Sequence, residues 1–168
     1  RHEQARGAEV ALVAVDVQTG DIVALVGGRD YRQSGFNRVM NGRRQVGSTI
    51  KPLTWVFAFE RDPSLAPSTP VPDEPIEREV GDQLWAPRNY DGKFKGPVTV
   101  RDSLEHSRNV PTVKMAYDLG VDKILNFVDR IGFNATLAHD LSLSLGSFGV
   151  TLIDIVTTYG IFPNGGKR

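Results

Sequence analysis

Residues 44–53 read Arg44-Gln45-Val46-Gly47-Ser48-Thr49-Ile50-Lys51-Pro52-Leu53. The apolar density that follows, with Trp55, Phe57 and Phe59, predicts a buried helix over residues 48–61. Pro52 falls in its first turn, where a missing N–H removes no intrahelical bond. On a helix, positions i and i+3 share a face, so the Ser48 hydroxyl and the Lys51 amine can reach one pocket. The serine sits at the positive end of the helix dipole, where developing negative charge is favoured. A lysine held partly out of water sheds its proton more readily and can act as a base. The S-x-x-K spacing thus meets the geometric demand of serine acyl transfer. It equally fits an N-capping serine with an exposed first-turn lysine, and the tetrapeptide alone does not choose.

Upstream of this stretch, residues 8–28 predict a β-hairpin. Two Val- and Ala-rich arms, residues 9–18 and 21–26, flank a turn at Thr19-Gly20-Asp21. Both arms are apolar at nearly every position, which predicts that both faces of the sheet are covered. Residues 27–47 carry several glycines and are basic, with Arg29, Arg32, Arg38, Arg43 and Arg44 against Asp30. They read either as a solvated loop or as a lip over an anionic ligand.

Downstream, residues 62–98 hold most of the prolines and little apolar periodicity. They predict an irregular path over the surface, with an acidic run of Asp73, Glu74, Glu77, Glu79 and Asp82 against Arg78. Thr99 to Asp102 resembles a capping box opening a helix that runs to about His106. Further helices are expected after Pro111 up to Gly120, over residues 122–131, and over residues 151–162 before Pro163-Asn164-Gly165-Gly166.

Composition narrows the function classes. The 168 residues carry 20 basic and 20 acidic side chains, so the chain is neutral and lacks the footprint of a nucleic-acid binder. With no cysteine, disulfides, thiol catalysis and Cys-ligated zinc drop out. The longest apolar run, Val10 to Val15, falls far short of the ~20 residues that span a bilayer. His2, His106 and His139 show no metal-ligand spacing. Trp55 reads as core, and Trp85 as either a cleft wall or a loop anchor.

A second candidate is Ser107-Arg108-Asn109, an S-x-N between two helices. A hydroxyl to relay a proton and an amide to hold a peptide-like substrate is one reading; a helix-capping Ser and Asn pair is the other. The flanks of both motifs carry more information. Residues 44–53 and the preceding Phe36-Asn37-Arg38 resemble the nucleophile region of penicillin-binding protein transpeptidases. Pro87-Arg88-Asn89-Tyr90-Asp91-Gly92, Gly96 to Arg101, Ser107 to Pro111, and Leu143-Ser144-Leu145-Gly146 through Gly166 resemble the class A, bifunctional branch in the same order.

The resemblance implies an α+β transpeptidase fold of the penicillin-binding protein and serine β-lactamase type. An antiparallel sheet would have its first hairpin at residues 8–28, with mostly helices and loops over residues 29–168. It implies that Ser48 is the acylated nucleophile and that Lys51 takes its proton. Ser107 would relay a proton to the leaving amine, and Asn109 would bind the substrate amide and orient Lys51. The Ser48 backbone N–H would be one oxyanion donor. The implied substrate is the D-Ala-D-Ala end of a peptidoglycan stem peptide, the implied covalent inhibitors are β-lactam antibiotics, and no cofactor is implied. The implied location is outside the cytoplasm, on a protein anchored in the membrane elsewhere in its sequence.

One departure is plain. The family's third motif, K-[ST]-G, is missing, since Lys114, Lys123 and Lys167 are not followed by Ser or Thr and then Gly. The chain is therefore expected to be the N-terminal portion of one transpeptidase domain whose remainder lies downstream or in another chain. By itself it is expected to turn over poorly, lacking one oxyanion donor and the substrate-carboxylate anchor. The alternative is a non-catalytic penicillin-binding-like scaffold or partner-binding module that retains two motifs. A β-lactam hydrolase is a weaker one, as no deacylating carboxylate is identifiable.

Overall fold

A computed structural model describes residues 8–80 and 83–166. His2, Asp82 and Lys167 lie outside the described residues. In chain order the elements begin with β1 (Leu12–Val15), β2 (Ile22–Val26), α1 (Arg38–Asn41), β3 (Arg44–Gln45) and α2 (Lys51–Arg61). Four short strands follow: β4 (Pro70–Asp73), β5 (Arg78–Val80), β6 (Gln83–Trp85) and β7 (Gly96–Thr99). Then come α3 (Val100–Glu105), α4 (Asn109–Leu119), α5 (Val121–Arg130), β8 (Gly149–Val150) and α6 (Leu152–Tyr159). The chain divides into two compact units, Arg1–Arg44 with Ile131–Ala135 and Gly149–Arg168, and Gln45–Arg130 with Thr136–Phe148.

In the first unit, β1 and β2 form the expected antiparallel hairpin, with Leu12 opposite Val26 and Ala14 opposite Ala24. The Asp16 carboxylate stitches the turn by accepting the N–H groups of Gln18 and Thr19, and Gly20 takes a left-handed φ of 79°. Covering of both faces is not what the structure shows. α6 packs against β1, yet every residue of β2 is exposed, Val23 by 66%. The apolar side chains of β2 thus stay largely open to solvent among the described residues. In the basic stretch, Arg38 pairs with Glu9 at 3.4 Å, and Asn37 caps α1 by accepting the Val39 N–H.

The second unit is built around α2, which packs against α4 and α5. Trp55, Ala58, Val71, Val98 and Val100 form a buried cluster, and Phe57 stacks on Phe127 with ring centroids 4.8 Å apart. Trp55 is therefore core, as its sequence context predicts. The proline-rich stretch departs from the expected surface loop. β4 and β7 pair antiparallel, with Val71 opposite Val98, and both valines enter that cluster. Pro70, Pro72 and Pro97 are compatible with this ladder because it has only two strands, and a missing N–H can face outward. β5 pairs with β6, which places Trp85 half-buried opposite Arg78.

Helix starts follow the capping chemistry. Thr99 accepts the Asp102 N–H at 3.0 Å to open α3, and Thr151 accepts that of Asp154 at 3.2 Å to open α6. α4 begins at Asn109, three residues ahead of the expected start after Pro111, because Pro111 is accommodated within its first turn.

Candidate active site

All four residues singled out as site candidates lie in the second unit. Lys51 is the first residue of α2, and its side chain is 1% exposed. Its ammonium nitrogen, Nζ, is 2.6 Å from the Ser107 carbonyl oxygen, 2.7 Å from Asn109 Oδ1 and 3.1 Å from Ser107 Oγ. The structure thus brings Lys51, Ser107 and Asn109 together across 56 and 58 residues of sequence.

Local backbone geometry explains the convergence. Ser107 has a φ of 51°, the one non-glycine left-handed residue among the described residues. Its N–H donates to Leu104 O and that of Arg108 to Ser103 O, so α3 ends in a tight reversal. The reversal turns both the carbonyl and the hydroxyl of Ser107 toward Lys51. Asn109 then opens α4, with its Nδ2 donating to Arg88 O at 2.8 Å. A carbonyl oxygen only accepts, so this contact fixes the amide with Oδ1 facing the lysine.

Ser48 stands differently from the sequence expectation. It occupies a 3-10 turn, Gly47–Ile50, that leads into α2, and its carbonyl accepts the Lys51 N–H. The side chain is exposed, and among the described residues its Oγ has no hydrogen-bond partner. The turn is pinned from outside. Gly47 N–H donates to Gly146 O and Val46 N–H to Phe148 O, each at 3.1 Å. Gly146 is left-handed, and a Cβ there would overlap the Gly47 backbone, so a glycine is required.

Burial pushes Lys51 down to about 8, and no charged neighbour contributes. Two of its three partners can only accept. A neutral amine has two N–H groups and one lone pair, so it can satisfy the Ser107 carbonyl and Asn109 Oδ1 while keeping the lone pair for a hydroxyl proton. The pocket thus raises the neutral fraction of Lys51 above that of an exposed lysine, with the ammonium still the major form at pH 7.

Sequence reasoning missed three residues beside this cluster. Arg108, the middle residue of S-x-N, is buried and its Nε donates to Asp73 Oδ2 at 2.5 Å. Asp73 is fully buried, whereas its run reads as solvated acid. Asn89 accepts the N–H of Asn109 at 2.8 Å. The available signal was weak: Asn89 lies in the quoted Pro87–Gly92 stretch, and Asp73 ends a strand of alternating exposed and buried residues.

The family model of the penicillin binding protein transpeptidase domain matches residues 10–168. The chain belongs to the penicillin-binding protein transpeptidase domain family. Penicillin-binding protein 1A of Rickettsia bellii is 40% identical over 160 residues, covering 94% of this chain and 20% of that protein. The crystal structure of penicillin-binding protein 1A from Haemophilus influenzae superposes with a TM-score of 0.86 at 33% identity, covering 94% of this chain and 23% of that one. PonA1 from Mycobacterium tuberculosis in complex with penicillin V superposes at 0.74 with 18% identity, covering 94% and 46%, and supports the fold alone. The α+β fold is thus that of penicillin-binding transpeptidase domains. The chain spans about a fifth of the length of the curated relatives it matches.

Proposed function

We propose that this chain carries the nucleophile and base of an acyl-serine D,D-transpeptidase that cross-links peptidoglycan stem peptides and is acylated by penicillins. The observation that supports this most is the triple contact of Lys51 Nζ with the Ser107 carbonyl, Ser107 Oγ and Asn109 Oδ1, in a buried pocket that makes the amine easier to deprotonate than an exposed lysine.

In this reading, neutral Lys51 takes the Ser48 proton as Oγ adds to the carbonyl between the two D-alanines. The Ser48 backbone N–H is one donor to the oxyanion. Collapse breaks the amide, and the departing D-Ala amine gains a proton through the Ser107 hydroxyl. An amine on a second stem peptide then displaces Ser48 from the ester. With a penicillin, the same attack opens the β-lactam ring, and the ring nitrogen remains attached to the bound acyl group. Asn109 directs its Oδ1 to Lys51 and binds the substrate amide. We place residues 1–168 in the N-terminal portion of one transpeptidase domain, with K-[ST]-G supplied elsewhere, and we place the reaction outside the cytoplasm, where stem peptides are cross-linked. Among the described residues no helix is long and apolar enough to cross a membrane.

The test is mass spectrometry of the natural protein carrying these residues after exposure to a penicillin. The expected result is a mass gain of one intact penicillin on the peptide containing Ser48, lost in Ser48→Ala. No gain, or the same gain in Ser48→Ala, overturns the assignment and favours a non-catalytic scaffold. Acylation should also climb as pH rises through about 8, because the deprotonated form of Lys51 is the base and only roughly a tenth is free at pH 7. A rate flat from pH 6 to 9 would exclude Lys51 as that base.

A further inference from the structure

Behind the Lys51 pocket, buried Asn89, Asp73 and Arg108 form a set of polar groups that reaches the surface at Asp91. Asn89, 4% exposed, spends both ends of its amide. Its Oδ1 accepts the N–H of Asn109 at 2.8 Å and that of Val110 at 3.2 Å, capping the first turn of α4 from a loop 20 residues away. Its Nδ2 donates to Asp73 Oδ1 at 2.6 Å and to Lys93 O at 2.8 Å. Asp73 Oδ2 in turn accepts Arg108 Nε and the Lys95 N–H. Arg108 reaches Lys93 O at 2.6 Å and Asp91 at 3.2 Å through its two terminal nitrogens.

We infer that Asn89, oriented by the Asp73–Arg108 pair, is a positioning residue for the Lys51 pocket. It rests on the reading of Ser48 as the acylated residue, and it adds a role for residues that touch neither substrate nor Lys51. All three acceptors around Lys51 belong to Ser107 and Asn109, which flank Arg108 directly. Their backbone is anchored on one side by Arg108 inside the network and on the other by the Asn89 cap. Donor and acceptor directions in this set are interlocked. Asp73 can only accept, so Asn89 must present Nδ2 to it, and that leaves Oδ1 for the α4 N–H groups. A buried network with every member paired has one arrangement, and a partly paired one has several. Loosening it lets water reach Lys51, whose lowered proton affinity comes from burial alone.

The experiment measures acylation of the natural protein by a fluorescent penicillin across pH, for wild type, Asn89→Asp, Asp73→Asn and the double swap. Asn89→Asp sets a carboxylate against Asp73 and Lys93 O, and Asp73→Asn leaves Arg108 without its anion. The swap restores one donor and one acceptor across the 73–89 contact and keeps an oxygen for Arg108. Each single variant should acylate about tenfold or more slowly, with its pH-dependent rise moved upward by about one unit as Lys51 is wetted. The swap should recover part of both and exceed either single variant, since a carboxylate at position 89 still faces Lys93 O.

A merely structural role would lower the melting temperature while leaving the pH rise in place, and that result overturns the inference, as does a swap no better than the singles. If Asn89→Asp does not fold, Asn89→Ser, whose hydroxyl still accepts from Asn109, is read against the same two outcomes. Failure of the wild-type protein to label at Ser48 overturns the transpeptidase reading and this inference with it. Labelled wild type with unaltered variants overturns this inference alone.

Discussion

Arg108 lies 2.5 Å from Asp73, and Arg130 lies 2.6 Å from Glu60, so by distance the two pairs are twins. Their surroundings separate them. The first pair is 4% and 0% exposed, the second 58% and 45%. At the surface both carboxylate oxygens of Glu60 face one nitrogen of Arg130, and water can replace either partner at little cost. In the interior nothing replaces a lost partner. Asp73 therefore also takes Asn89 and the Lys95 backbone, and Arg108 also takes Lys93 and Asp91. Contact distance records that two charges meet; burial and the remaining hydrogen bonds decide what happens when one is removed.

The sharpest way to break the comparison is Arg108→Ala. It strands the Asp73 carboxylate in the interior and should cost about 3–5 kcal/mol, read as a drop in the urea midpoint of unfolding. A loss under about 1 kcal/mol would mean that water enters the site and that the two pairs are alike after all.

The sequence shows why this pair was hard to see. The hairpin turn, α2, α3 and the cap at Thr99 were legible, because each depends on residues within a few positions of one another. S-x-x-K and S-x-N were legible as motifs for the same reason. Asp73 was not, since its partners lie 16 to 35 residues away and its neighbours Glu74, Glu77 and Glu79 are exposed acids. The strand pair of β4 and β7 was hidden by its prolines, which argue against a strand until the ladder is known to have only two members. The 3-10 geometry at Ser48 was hidden too. It depends on Gly146 fitting against Gly47 from almost a hundred residues downstream, and local propensity does not encode that fit.

Between the two extremes stands Thr99, which caps α3 on the way to Ser107. Its hydroxyl accepts the Asp102 N–H at 3.0 Å in a half-buried setting, where water can replace part of the lost bond. Thr99→Ala should cost about 1 kcal/mol. Thr99→Ser should recover most of that, and a serine no better than alanine would point to packing of the threonine methyl instead of the cap. The same urea titration reads both variants.

Glu60→Ala should have the smallest effect, about 0–1 kcal/mol, and its value lies in how it responds to salt. Arg130 also sits over the Phe127 ring at 5.4 Å, and that contact survives loss of the carboxylate. At low salt the variant should fall slightly below wild type. Near 1 M salt, where the screening length shrinks to about 3 Å, the two unfolding midpoints should converge. Arg108→Ala measured in the same series should keep its deficit, because an unpaired carboxylate buried in the protein is out of reach of mobile ions. If the two deficits shrank in parallel, solvent would be screening both pairs, and burial would no longer explain why one holds the Lys51 pocket and the other does not.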